Sequence, residues 1–234
     1  QDLHVDAVLR QALAPHGIVD ATAGREAARH RHQIAELGAI AQIAERWPGS
    51  LGTVSGGPWR QRERQLQMIR EAGFGMIRQQ FPWEDIEIHA RGDFTDRRND
   101  VNGDGEIDTI DAWAKYDHIV DVVEEYGLRL QVRLSNPPGW THGDPAIGEK
   151  APPDDIEDFV NYAVAVAERY RGRILHYQIW NEPNIYPEWG EQAVNPEAYT
   201  DMLCRTYRAL KDVDPNIVVI SAALAPTINL TDRN

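Results

Sequence analysis

The chain has 234 residues, 42% hydrophobic and 26% charged, a composition that excludes disorder and supplies one large domain with a substantial core. A formal net charge of −13 leaves no basic footprint for nucleic acid or an anionic membrane surface, and suits a neutral ligand or a cation. The single cysteine, Cys204, excludes an intrachain disulfide and a cysteine-based metal site, and no apolar run approaches the ~18 residues of a membrane span.

Residues 1–49 stand apart as an N-terminal helical extension. Within them, 22–46 predicts a helix, with Ile34, Leu37, Ile40 and Ile43 recurring every third residue until Trp47-Pro48-Gly49 ends it. His30 and His32 alternate with Arg29 and Arg31 there and read as a solvated basic face. From residue 50 onward, strand and helix patterns alternate. Strands are predicted at 51–54, 75–81, 128–134, 174–180 and 216–222. The first helix, 58–72, has Trp59, Leu66 and Ile69 on one face, and the second, 112–126, carries Trp113, Tyr116, Val120 and Val123. A third, 153–171, opens at Pro152-Pro153 and repeats Ile156, Phe159, Val160, Ala163, Ala167 and Tyr170 at the helical period. Asn195 as N-cap and Pro196 at the first helical position start the fourth, which runs to about Val213. Single helices between strands imply right-handed crossovers and a parallel sheet, hence an α/β fold.

Two strands are polar on one side. Leu128, Leu130, Val132 and Leu134 alternate with Arg129, Gln131 and Arg133, and Leu175, Tyr177 and Ile179 with His176, Gln178 and Trp180. A parallel sheet covered on both faces usually reads as a near-continuous apolar run. The polar side is therefore the lining of a barrel that binds hydroxyl-rich ligands, ion-pair packing, or the wet side of an open sheet. The segment 174–184 ends on Glu182, between Asn181 and Pro183. A carboxylate at the carboxyl end of a parallel strand is where a (β/α)8 barrel keeps its chemistry. Pro183 is expected to keep Glu182 out of the helical region, at the strand tip and on the polar parity.

Trp-Asn-Glu-Pro-Asn (180–184) resembles the fourth-strand signature of the clan A retaining glycoside hydrolases, (β/α)8 enzymes acting on β-linked sugars. Residues 71–87 resemble the second strand of the same group, especially bacterial members near family 39 and family 5, and 167–174 and 221–227 also read like them. The resemblance covers roughly residues 50–228. It implies a (β/α)8 TIM barrel of which about the first five βα units are present. It implies that Glu182 is the general acid/base, protonating the leaving oxygen and then deprotonating the attacking water. By the same resemblance Asn181 would bond the sugar 2-hydroxyl, and Arg78 would support the nucleophile carboxylate. Trp83, Trp140 and Trp180 are candidate platforms for the apolar face of a sugar ring. Asn136, where the group often carries histidine, is a further candidate substrate contact. The nucleophile is expected to be a glutamate on a seventh strand. Five predicted strands by residue 222 fall short of it, whereas eight βα units typically need ~250 residues, so the chain is read as part of a longer protein. Glu84 and Glu87 are read as solvated or structural. The expected partner is an oligosaccharide, polysaccharide or glycoside. The expected location is extracellular, with any export signal already removed.

Residues 100–111 place oxygen side chains at loop positions 1, 3, 5, 9 and 12, glycine at 6 and an aliphatic residue at 8, the EF-hand arrangement for Ca²⁺. Aspartate at position 12 resembles the dockerin form. The predicted ligands are Asp100, Asn102, Asp104, the Glu106 carbonyl and Asp111, with Asp108 acting through water. The loop reads as an insertion, 96–111, within the barrel segment 50–234. The alternative to an enzyme is a non-catalytic, calcium-ordered carbohydrate-binding or self-assembling subunit. Asn229-Leu-Thr is a glycosylation sequon.

Overall fold

The computed structural model describes residues 58–227, with side chains from residue 63 onward. The extension 1–49, the strand expected at 51–54, the Trp59 side chain and the sequon at Asn229 lie outside those residues.

Helix α1 (Pro58–Glu71) leads into strand β1 (Met76–Pro82). Two very short strands follow, β2 (Thr95–Asp96) and β3 (Ile110–Asp111), then helix α2 (Ala114–Glu125) and strand β4 (Arg129–Ser135). Helix α3 (Ile156–Arg169), strand β5 (His176–Ile179), helix α4 (Pro196–Val213) and strand β6 (Val218–Ile220) complete the order. Strands β1, β4, β5 and β6 are hydrogen-bonded neighbours in that sequence, all parallel. One helix bridges each step, as the alternating pattern predicts. The β2–β3 pair is antiparallel, matches Thr95 with Asp111, and closes the acidic loop at its base.

Local chemistry explains the helix ends. Gly127, at φ +65°, ends α2: its N–H bonds the Glu124 carbonyl at 2.8 Å while Leu128 N–H reaches Val123 at 3.1 Å. That paired closure needs a left-handed residue, which glycine adopts without a Cβ penalty. Asn195 caps α4 as expected, accepting from the Ala198 N–H at 2.9 Å with Pro196 behind it. The start of α3 differs from the expected double proline. Asp155 is its cap, accepting from Glu157 N–H at 3.0 Å, because a side-chain acceptor satisfies an end donor that proline cannot supply or bond.

One side of the sheet is apolar. Phe81, Leu130, Val132, Leu134, Tyr177 and Ile179 bury themselves with Ile119, Val120 and Val123 of α2 and with Phe159, Ala163 and Val166 of α3 in a single core. The Tyr162 hydroxyl crosses this layer to donate to the Phe81 carbonyl at 2.8 Å. The other side carries the polar residues in matched rows. Arg78, Gln131 and His176 share one row, and Gln80, Arg133 and Gln178 the next toward the carboxyl ends. Parity thus sorts the two faces, and the expected polar face exists as a bonded surface. Among the described residues no helix is long and apolar enough to cross a membrane.

Leu134 is fully buried at the centre of the sheet. Leu134→Ala is expected to lower the unfolding free energy by about 3 kcal/mol, read from urea denaturation, because the core cannot collapse into the space left. A loss below about 1 kcal/mol would contradict this placement of the core.

Candidate active site

The carboxyl ends of β1, β4 and β5 come together, and each runs into a short irregular segment. Among the described residues, non-glycine positive φ occurs only here: Asn136 at +57° after β4, and Trp180 at +71° and Glu182 at +41° after β5. Such backbone costs energy and persists where surrounding bonds over-determine it. Those bonds are present. Trp180 N–H donates to the Leu134 carbonyl at 2.9 Å, and Glu182 N–H to the Ala223 carbonyl at 3.1 Å. Asn184 pairs with Ala225 in both directions, each bond 2.9 Å, tying the turn after β5 to the segment after β6.

This corrects the expectation for Pro183. Glu182 is not held extended on the strand parity: β5 ends at Ile179, and two left-handed residues redirect the chain beyond it. Glu182 lies past the strand tip, half-buried.

Asn181 is held from three sides. Its side-chain oxygen accepts from Arg133 Nη1 at 2.7 Å and, more weakly, from Arg78 Nη2 at 3.5 Å. Its Nδ2 donates to Glu188 Oε2 at 2.8 Å. Arg78 also donates through Nε to Gln178 Oε1 at 2.9 Å. Arg133 Nη2 bonds Gln80 Oε1, and Gln80 Nε2 donates to Asn136 Oδ1 at 3.0 Å. Asn136 Nδ2 then reaches Glu84 Oε1 at 3.2 Å, while the Asn136 carbonyl accepts the Glu84 N–H at 2.9 Å. The structure therefore joins Arg78, Asn136 and Asn181 into one network. Arg133, Gln80, Gln178 and Glu188 are members that sequence reasoning missed. The alternation of polar residues marks the face on which Arg133 and Gln178 lie, and the strand register supplies their partners.

Two tryptophans are corrected. Trp83 is 0% and Trp180 1% exposed, so neither presents a ring face to a sugar. Trp83 stacks on Tyr162, centroids 5.2 Å apart, and its indole donates to Glu87 Oε2 at 2.6 Å. Trp180 packs edge-on against Trp189 and donates to the Glu188 carbonyl at 2.8 Å. Both rings turn to the apolar side because their bulk fills the core and each N–H finds an acceptor there. Trp140 is partly exposed, fixed edge-on to Trp83 with its indole on the Glu87 carbonyl at 2.8 Å.

Two neighbouring carboxyls differ. Burial pushes Glu84 above the usual carboxylate range; the Asn136 bond opposes it and nearby Asp85 adds to it. Burial also raises Asp85, but Lys115 at 2.7 Å, Tyr116 at 3.0 Å and Arg98 at 3.0 Å outweigh it and leave the group lowered. Glu87 is buried between the Trp83 indole and the Gly92 N–H, a structural place.

In the acidic loop, Asp100 accepts from Gly103 and Gly105 N–H at 2.6 and 2.8 Å, bonds that hold its carboxyl below the usual range. Asn102 and Asp104 each accept the N–H two residues on, at 2.9 Å. Asp108 accepts from Val101 N–H at 2.7 Å, and Asp111 from Trp113 N–H at 2.9 Å with Arg169 3.7 Å away. Asp100, Asn102 and Asp104 thus cap turns within the loop, whereas Asp111 faces the helix start. Among the described residues no three His, Cys, Asp or Glu converge as a metal cluster.

The family model of cellulase, glycosyl hydrolase family 5, matches residues 39–227. The chain belongs to glycosyl hydrolase family 5. Solved structures support the fold of this family 5 chain. A family 39 glycoside hydrolase from the gut symbiont Bacteroides cellulosilyticus WH2 is 20% identical with a TM-score of 0.51, covering 74% of this chain and 31% of that one. The exo-β-1,4-mannosidase Op5Man5 from Opitutaceae bacterium strain TAV5 is 19% identical with a TM-score of 0.52, covering 75% and 30%. A monomeric β-xylosidase from Caulobacter crescentus CB15 is 22% identical with a TM-score of 0.50, covering 67% and 31%. No curated protein matches. The parallel strands are those of a (β/α)8 barrel, and the chain spans about three tenths of the length of these solved enzymes.

Gly190 shapes the loop that brings Glu188 to Asn181. Its φ is +81°, and a Cβ there would lie 2.6 Å from both Ala151 Cβ and the Ile147 carbonyl. Gly190→Ala is expected to cost about 2–4 kcal/mol in urea denaturation, from backbone strain plus overpacking. Unchanged stability would contradict this close approach.

Proposed function

We propose that the protein hydrolyses β-glycosidic bonds with retention of configuration, with Glu182 as general acid/base. The observation that carries this is the pairing of a half-buried carboxyl past a barrel strand tip with a neighbouring amide, Asn181, locked by Arg133 and Glu188. In the first step the Glu182 carboxyl gives its proton to the departing glycosidic oxygen. In the second it takes a proton from water attacking the anomeric carbon. Asn181 bonds the 2-hydroxyl, a contact that strengthens as the ring approaches the transition state. The nucleophile is a glutamate of the barrel's seventh strand, about 5–5.5 Å from Glu182, as double displacement demands. Arg78 supports it. Trp140 and Asn136 are the substrate contacts kept from the expected set. The substrate is an oligo- or polysaccharide or a glycoside, and the protein acts outside the cell.

A second reading is a non-catalytic carbohydrate-binding or self-assembling subunit. Saturable sugar binding with no turnover would favour it. Glu182→Gln separates the two: on unactivated glycosides it is expected to lower kcat by about 10²- to 10⁴-fold. Unchanged turnover would remove Glu182 from the mechanism.

The loop 100–111 is proposed to take one Ca²⁺ through Asp100, Asn102, Asp104, the Glu106 carbonyl and Asp111, as an ordering ion. Support comes from its hard oxygen donors and the turns formed by the first three. Calcium at 100 times its Kd is expected to add about 2.7 kcal/mol to the unfolding free energy, an increment absent in Asp100→Ala. Identical melting curves with and without chelator would contradict the proposal.

A further inference from the structure

An asparagine amide has an oxygen that only accepts and a nitrogen with two N–H donors, the two ends being almost equal in size. Partners decide which end points where. For Asn181 both partners are one-sided: the Arg133 guanidinium can only donate, at 2.7 Å, and the Glu188 carboxylate accepts, at 2.8 Å. A flipped amide would set N–H groups against the guanidinium and an oxygen against the carboxylate. Only one orientation survives. Giving one Nδ2 hydrogen to Glu188 fixes the amide plane, and with it the direction of the second hydrogen.

Glu188 is itself rigidly placed. Its carbonyl accepts the Trp180 indole N–H at 2.8 Å, and the adjacent Trp189 is buried between Trp180 and Tyr199. Gly190 then presses on the 147–151 loop, where Glu191 N–H donates to the Ile147 carbonyl at 2.6 Å. From that loop Lys150 pairs with the second carboxylate oxygen, Oε1. The Glu188 side chain is 16% exposed, so the pair is only partly screened by water. Trp180 therefore contributes as a strut for Glu188.

We propose that Glu188 is a positioning residue: braced by Lys150 and the Trp180 indole, it holds the Asn181 amide so that its remaining N–H meets the sugar 2-hydroxyl. This rests on the hydrolase reading above. Glu188 touches neither the reacting bond nor the proton in transit. Its influence passes through one amide and one hydroxyl of the substrate.

The test compares a β-glycoside with its 2-deoxy analogue. Glu188→Ala is expected to lower kcat/KM for the parent glycoside roughly 10- to 100-fold, mostly in kcat, and that for the 2-deoxy analogue by less than about threefold. Glu188→Gln, whose amide oxygen can still accept, restores much of the loss. Equal losses on both substrates would overturn the proposal, since a merely structural defect cannot sense the 2-hydroxyl. The Asn181 side-chain amide resonance gives a second readout in folded variants: Glu188→Ala is expected to shift it, and an unmoved resonance overturns the proposal. The hydrolase reading fails differently, through absent turnover in the unmodified protein or undiminished turnover in Glu182→Gln. The resonance still reports whether Glu188 holds Asn181.

Discussion

The hydrogen bonding of one buried guanidinium organises this end of the fold. Arg133 is 9% exposed within the sheet, and a buried charge without acceptors costs several kcal/mol. The register answers that demand by placing Gln80 beside it on β1. One arm of the guanidinium binds Gln80 and the other reaches past the tip of β5 to Asn181. The position of the amide beside Glu182 is thus set by a residue on the neighbouring strand, backed by core packing on the opposite face.

From Arg133 the bonding spreads both ways. Toward β1 it runs through Gln80 and Asn136 to Glu84; toward the loops it runs through Asn181 and Glu188 to Lys150. Of the three non-glycine left-handed residues, Asn136 belongs to this path and Trp180 and Glu182 flank Asn181, each with backbone partners that sustain the strain. Rigid scaffolding under irregular strand tips is the arrangement that lets a barrel place chemical groups without relying on mobile loops. The acidic loop lies outside this network, closed at its base by only two residue pairs.

Much of the fold was legible because period and punctuation agreed. Gly127 closes α2 and Asn195 opens α4 where their chemistry says they should, and the polar parity of 128–134 marks a bonded face. The site was only half legible. Glu182, Asn181 and Arg78 are visible in a sequence because they lie in motifs. Arg133 and Gln80 become partners only through the strand register, which no local pattern reveals. Glu188 depends on a loop whose path follows from Gly190 and two buried tryptophans. Trp83 and Trp180 misled because a ring that suits a sugar face suits an apolar core equally. For Trp180 strand parity gives no guide either, since β5 stops at Ile179. The two-residue strands β2 and β3 are too short to show any period.

The proposed mechanism requires that the Glu182 carboxyl and the locked Asn181 amide act on one sugar. A structure of the protein with a slowly turned-over β-glycoside analogue tests this most directly. The glycosidic oxygen is expected within hydrogen-bond reach of the Glu182 carboxyl and the 2-hydroxyl on Asn181 Nδ2. A sugar bound with its 2-hydroxyl on other groups, or with Glu182 turned away from the glycosidic oxygen, would contradict it.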